Sequence, residues 1–397
     1  MADLRPASGA RARIEARVDV AAVRHNVRVL RAATAPGAAV MAVVKADGYG
    51  HGAVPVAHAA LGAGATWLGV CTLDEAMELR GAGITAPLLS WLHLPDEDFA
   101  PAVAAGIDLS VASRAHLAAV CDGARRAGRP AQVHLKADTG LSRNGAVAAD
   151  WPELVDAAAK SAAEGECDVV AVWSHLAHAD TPGHPMLDVQ AARLNAAWRA
   201  AVDRGLAPIR HLANAAATLT RPDLHFDLVR PGIAVYGLDP LGRPVGQSPL
   251  RPAMTLAARV VLVKRIPAGE GVSYGHEWTA ATDTTLALVP IGYADGVPRR
   301  LNFGGRMQVL LGGRLRPVVG RVCMDQVVVD CGPAGGDEVA VGDRAVLFGP
   351  GDAGEPTAQD WADELGTIHY EVVTGVHGAR VRRIVVDGDD PTTGRRA

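Results

Sequence analysis

The chain has 397 residues, 49% of them hydrophobic, with 39 basic against 43 acidic side chains and a formal net charge of −4. That is long enough for two domains, or for one barrel of about 250 residues and a smaller unit, but no uninterrupted apolar run reaches the roughly 18–20 residues of a membrane span, and no basic, aromatic stripe points to nucleic acid. Five scattered cysteines without a C-x-x-C pair read as reduced thiols rather than disulfides or a zinc site.

Residues 1–13 are polar and basic, without the apolar core of a secretory signal, so they read as a loose tail and a cytoplasmic location is expected. A helix is predicted over 18–33, where Val20, Val23, Val27 and Leu30 share one face, Asp19 offers an N-cap and Pro36-Gly37 follow the stop. The apolar run 39–44 then reads as a buried parallel strand, and it ends in Lys45 at the start of the loop Ala46-Asp47-Gly48-Tyr49-Gly50-His51-Gly52. Burial lowers the pKa of an amine, which suits Lys45 to Schiff-base chemistry with a carbonyl or pyridoxal phosphate. The alternative is a snorkelling or ion-paired lysine at a strand end.

Further buried strands are predicted at 67–70, 87–91, 107–111, 132–136, 169–174, 210–213 and 228–230, and helices at 73–82, 113–127, 151–163 and 187–204. Eight strands alternating with helices imply an α/β fold whose N-terminal domain, residues 13–248, is a (β/α)8 TIM-like barrel, since parallel strands need long crossovers and a barrel leaves no edges. From residue 249 the texture changes to short β-branched runs at 258–266, 284–290, 307–311, 315–319, 326–330 and 344–348, with one helix at 357–365 capped by Thr357 and stopped by Gly366. Residues 249–390 therefore read as a mostly-β domain of antiparallel strands, ending in a polar tail.

Ligands of a barrel sit at the C-terminal ends of its strands, and the notable polar residues lie there: Lys45, Lys136 through Gly140, Ser174-His175, Asn214 and Arg230. Each has an ordinary reading alone, His175 as a satisfied core histidine, Asn214 as a helix cap and Arg230 as a surface cation. Their convergence on one pocket favours a functional reading.

With these residues placed, the sequence resembles the alanine racemase family of fold-type III pyridoxal phosphate enzymes along nearly its whole length. The resemblance rests on Ala42 to Gly52 around Lys45, on Lys136 to Arg143 and on Val229-Arg230-Pro231-Gly232-Ile233 in the first domain. In the second it rests on Val272-Ser273-Tyr274-Gly275, Ile291 to Gly296, Val322-Cys323-Met324-Asp325-Gln326 and Ile368-His369-Tyr370-Glu371. It implies that Lys45 binds the cofactor covalently and serves as the base on one face of the substrate Cα, with Tyr274 from a partner subunit as the opposite base. Activity would then require a homodimer with composite sites, and nucleic acid and membrane are not expected partners.

Arg230 is implied at the pyridine nitrogen, held by His175. A guanidinium only donates hydrogen bonds, so it would leave that nitrogen unprotonated and weaken electron withdrawal, disfavouring transamination. The resemblance also implies that Tyr49, Tyr370, Asn214 and the N–H groups at Gly232 and Ile233 hold the cofactor, and that Arg143 and the backbone of Met324 bind the substrate carboxylate. It further implies that Lys136 is carbamylated beside Arg143, the alternative being a plain lysine paired with an acid such as Asp138. Asp180, Tyr293, Arg299, Arg321, Ile368 and Tyr370 would line a narrow substrate corridor suited to alanine. One departure stands out: Ala215 occupies a position where the family usually has a serine, removing one hydroxyl from the phosphate cradle, worth about 0.5–1.5 kcal/mol. The implied function is interconversion of L- and D-alanine for peptidoglycan. The alternatives are a racemase of another small amino acid such as serine, a related decarboxylase, or a non-catalytic cofactor-binding regulatory protein.

Overall fold

The structure is a computed structural model and describes residues 12–244 and 246–388. The expected tails fall largely outside the described residues, as do the last two residues of the predicted 249–390 domain. The described chain divides into two compact units, one spanning Ala21–Arg251 and the other joining the segment up to Val20 to the chain from Pro252 onward.

In the first unit, among the described residues, eight parallel strands form a ring: Ala39–Val43, Trp67–Val70, Leu88–Ser90, Asp108–Val111, Ala131–Lys136, Cys167–Trp173, Ile209–His211 and Leu228–Val229. The last strand pairs with the first at Ala39↔Leu228 and Val40↔Val229. It is tied to the seventh by Asp227 N–H to the Arg210 carbonyl at 3.1 Å and Arg230 N–H to the Ala213 carbonyl at 2.9 Å, which closes the barrel. Every predicted strand is present within two or three residues at each end. The helices include Val20–Ala33, Leu73–Gly81, Arg114–Ala127, Trp151–Ala163 and Met186–Val202, and Ala53–Gly62, apolar but for His58, adds one that the sequence reading did not give. Two of them start on side-chain caps: Ser113 accepts the His116 N–H, and Thr72 with Glu75 forms a reciprocal capping box.

The second unit, among the described residues, holds a nine-stranded sheet. It departs from the sequence reading in several ways, which include a strand at Val381–Val386 and a helix at His369–Thr374 that the sequence reading did not give. Ile14–Asp19, which that reading gave to the barrel domain and the start of a helix, is a strand lying between Met254–Arg259 and Val381–Val386, antiparallel to the first and parallel to the second. Its alternation of Ile14, Ala16 and Val18 with polar residues is the period of a strand with one buried face. The run 258–266 is two strands rather than one. Met254–Arg259 pairs with Arg344–Phe348 and Leu262–Ile266 with Thr284–Val289, so the chain changes partners at Val260 and Val261.

The helix Ala358–Leu365 begins as its sequence implies, with Thr357 Oγ1 accepting the Asp360 N–H and Asp360 accepting the Thr357 N–H, and it ends at left-handed Gly366. Thr357→Ala should cost about 1 kcal/mol, read as an earlier urea midpoint with an unchanged slope, and Thr357→Ser should restore most of it.

Candidate active site

Lys45 follows the first barrel strand and is half-buried. The four residues after it, Ala46, Asp47, Gly48 and Tyr49, have φ of 52°, 50°, 61° and 51°. A left-handed turn costs about 1–2 kcal/mol for each residue carrying a Cβ, so the surroundings must hold it. Glu75 Oε1 accepts the Ala46 N–H at 2.6 Å, and Asp47 Oδ1 accepts the Ala53 N–H at 2.9 Å. The buried Tyr236 donates its hydroxyl to the Val43 carbonyl at 2.9 Å, and its ring centroid lies 4.9 Å from that of Tyr49 and 4.6 Å from that of His51. The turn directs Tyr49 toward the eighth strand. A Cβ built on Gly232 would lie 2.4 Å from the Tyr49 hydroxyl, so only glycine leaves room there. Ile233 opens a short 3-10 turn whose first N–H groups have no preceding carbonyl to satisfy them.

Arg230 is buried, with 4% of its surface exposed. Its Nη2 donates to the Ser174 carbonyl at 2.8 Å and the Leu212 carbonyl at 3.2 Å, and lies 3.2 Å from His175 Nδ1; its Nη1 lies 2.9 Å from His211 Nδ1. Burial lowers the guanidinium pKa to about 9, which leaves it charged at neutral pH. Burial first, and the Arg230 charge second, push His175 and His211 well below the usual histidine value, so both are neutral.

Lys136 ends the fifth strand, buried, with Nζ 4.3 Å from the Trp173 ring centroid. Asp138 does not pair with it. That carboxylate accepts the N–H groups of Gly140 and Ser142 at 2.9 and 3.1 Å and shapes the following loop. Burial, then the charges of Arg230 and Arg143, bring the Lys136 amine down to about 8. Arg143 itself is exposed, and Asp180 is exposed on the loop where the rings of His178 and His184 stack at 3.9 Å. Asn214 spends its Oδ1 on the Ala217 N–H as the cap of Ala215–Thr220, with Ala215 buried as the first residue of that helix.

The remaining predicted residues lie on the second unit. Tyr274 follows Ser273, whose φ is 65°, at the head of the hairpin Gly271–Val272 and Trp278–Thr279. Ser273 Oγ donates to the Arg321 carbonyl at 3.0 Å, while Arg321 pairs with Glu277. The loop carrying Met324 is tied to Tyr293 and Ala294 through Tyr293 N–H to the Cys323 carbonyl and Ala294 N–H to the Met324 carbonyl, at 3.1 and 3.0 Å. Ile368 caps the helix His369–Thr374 that carries Tyr370, and Arg299 stands over the Phe303 ring. Within this unit Tyr274 is 72% exposed, Met324 53% and Ile368 58%.

A family model for the alanine racemase N-terminal domain matches residues 18–240, and one for the C-terminal domain matches residues 253–385. The chain belongs to the alanine racemase family. It is 58% identical to the alanine racemase of Salinispora tropica over 379 residues, covering 95% of this chain and 99% of the relative. The solved alanine racemase of Streptomyces coelicolor superposes with a TM-score of 0.90 at 52% identity, covering 95% of this chain and 98% of that one. That of Streptomyces lavendulae does so with 0.89 at 50%, covering 96% and 98%.

Several residues that shape the barrel mouth carried no motif. Glu75 and Tyr236 hold the turn beside Lys45, and Trp173 lies against both Lys136 and Arg230. His134 had a signal in the alternation of its strand, which puts it two residues from Lys136 on the same face. Gly232→Ala should push the Tyr49 hydroxyl aside and weaken binding of a phosphate-bearing ligand about tenfold or more. Titration with pyridoxal phosphate, beside an unchanged far-ultraviolet dichroism spectrum, checks this.

Proposed function

We propose that this chain interconverts L- and D-alanine with pyridoxal phosphate as cofactor, in the cytoplasm and as a homodimer, supplying D-alanine for peptidoglycan. The observation that carries the reading is the meeting, in one barrel mouth, of Lys45 on its braced turn with a buried Arg230 to which no carboxylate is bonded among the described residues. A donor-only group at the pyridine nitrogen suits a racemase, whereas a carboxylate there would suit chemistry needing stronger electron withdrawal.

The cofactor fits the residues present. Gly232 leaves beside the Tyr49 hydroxyl the space that a Cβ would fill, and the N–H groups opening the turn at Ile233 suit a phosphate. Lys45, Tyr49, Asn214, Gly232, Ile233 and Tyr370 would hold the group, with His175 supporting Arg230. Bound there, pyridoxal phosphate supplies the electron-withdrawing ring that acidifies the α-proton of alanine. Lys45 Nζ takes or returns that proton on one face and Tyr274 Oη on the other, which inversion requires. Arg143 and the Met324 N–H hold the carboxylate. Asp180, Tyr293, Arg299, Arg321, Ile368 and Tyr370 narrow the approach. The exposure of Tyr274, Met324 and Ile368 supports a dimer, since large apolar side chains left in water mark surfaces that a partner covers.

Lys45→Ala should lose the lysine-linked adduct that borohydride reduction of the wild-type protein leaves on Lys45. Tyr274→Phe should keep bound cofactor, lose racemisation by about 10²–10⁴-fold and still exchange the α-proton of one enantiomer with solvent; full racemase activity in this variant would end the two-base assignment. Initial rates should favour alanine over serine.

The setting of Lys136 supports its carbamylation. Carbon dioxide reacts with the neutral amine, and a pKa of about 8 rather than 10.5 makes that form roughly two orders of magnitude more abundant at neutral pH. The carbamate would reverse the charge beside Arg143 and accept its hydrogen bonds. Occupancy should rise with pH from about 7 to 9 in bicarbonate buffer, read as the mass of one added carbon dioxide on Lys136, and Lys136→Met should lack it.

A further inference from the structure

Arg230 has a buried charge with no acid against it among the described residues, but it is the last member of a polar chain crossing the barrel interior. His211 Nδ1 lies 2.9 Å from Arg230 Nη1, His211 Nε2 lies 3.0 Å from His134 Nδ1, and His134 Nε2 lies 3.1 Å from Asp108 Oδ2. All four residues are buried, and they come from the eighth, seventh, fifth and fourth strands. Asp108 begins its strand and Arg230 follows the end of its own, so the chain runs from the lower barrel to its mouth.

The protons in this chain can be arranged in one way. A guanidinium only donates, so His211 Nδ1 must accept. His211 is neutral, so its proton sits on Nε2 and is donated to His134 Nδ1. His134 must then carry its proton on Nε2 and donate it to the Asp108 carboxylate. Doubly protonated His134 is ruled out, because its Nδ1–H would face the Nε2–H of His211. The rings are held in plane by their neighbours: Trp173 stacks on His211 with centroids 5.3 Å apart, and Trp67 meets His134 edge-on at 5.6 Å. His134 is the only side chain hydrogen-bonded to Asp108 among the described residues, and nearby Arg80 spends its N–H groups on the carbonyls of Ile84, Ala86, Ala105 and Gly106.

We propose that Asp108 is a positioning residue for Arg230: through His134 and His211 it fixes both imidazoles as Nε2–H tautomers, so that His211 always presents a lone pair to the guanidinium. This rests on the reading that Arg230 faces the pyridine nitrogen. When the anchoring carboxylate becomes an amide, its NH₂ can donate to His134 Nε2. His134 then turns to Nδ1–H, His211 follows, and Arg230 meets a donor where it had an acceptor. A carboxylate that sets a histidine tautomer has the same use in hydrolase triads.

The test is long-range ¹H–¹⁵N correlation on the histidine-labelled, cofactor-loaded full chain, with Asp108→Asn alongside. Wild-type His134 and His211 should both show Nε2–H. Asp108→Asn should shift both toward Nδ1–H, change the visible absorption of bound cofactor and lower kcat for alanine about 10- to 100-fold, with KM within about twofold. Wild-type turnover together with an Nδ1–H on His211 overturns this inference alone, and so does Asp108→Asn with tautomers and kcat unchanged. A wild-type chain that binds no pyridoxal phosphate overturns the functional reading and this one with it. Should Asp108→Asn fail to fold, the wild-type tautomers still decide.

Discussion

Burying a guanidinium costs several kcal/mol unless its N–H groups find acceptors and its charge a counterpart, and the barrel mouth is arranged around meeting that demand for Arg230. Two backbone carbonyls, from Ser174 and Leu212, and two imidazoles, from His175 and His211, surround it. The imidazoles stay neutral because they are buried beside that cation. The same charge helps to lower Lys136, and the Trp173 face lies against both cations at 4.3 and 4.8 Å. Hydrogen bonding, protonation state and packing in the pocket thus depend on one buried positive charge at the seam where the eighth strand closes on the seventh.

The turn after Lys45 is the second constraint. Three non-glycine residues in the left-handed region would not stay there unaided, and their supports come from other parts of the barrel: Glu75 from the helix after the second strand, Tyr236 from the segment after the eighth. Lys45 is therefore held by the closure of the barrel as well as by its own loop. That is how a rigid scaffold places a reactive group on a short irregular segment.

The second unit handles the residues proposed to serve the site differently. Tyr274, Tyr293, Arg321 and Met324 lie on loops cross-linked by backbone hydrogen bonds and the Arg321–Glu277 pair, with Asp295 buried beneath and paired to Arg380 at 2.9 Å. The loops are fixed, yet Tyr274 and Met324 are left largely in water. A firmly held loop displaying an exposed aromatic side chain is suited to serving a site beyond its own surface.

Period, capping residues and turn signals sufficed for the eight barrel strands, most helices and the Thr357–Gly366 helix, because each is a local pattern that burial merely completes. The motifs around Lys45, Lys136 and Arg230 were legible for the same reason. Other features depend on chain segments far apart in sequence. Ile14–Asp19 joins the second unit because its partners are Met254–Arg259 and Val381–Val386, more than two hundred residues away. The break at Val260 comes from a change of neighbouring strand, and Asp138 turns from Lys136 because nearby N–H groups claim it. Tautomers are the extreme case: whether His134 and His211 carry a proton on one nitrogen or the other has no local signal. Only barrel closure, which sets Asp108 at one end of that line and a donor-only Arg230 at the other, decides it.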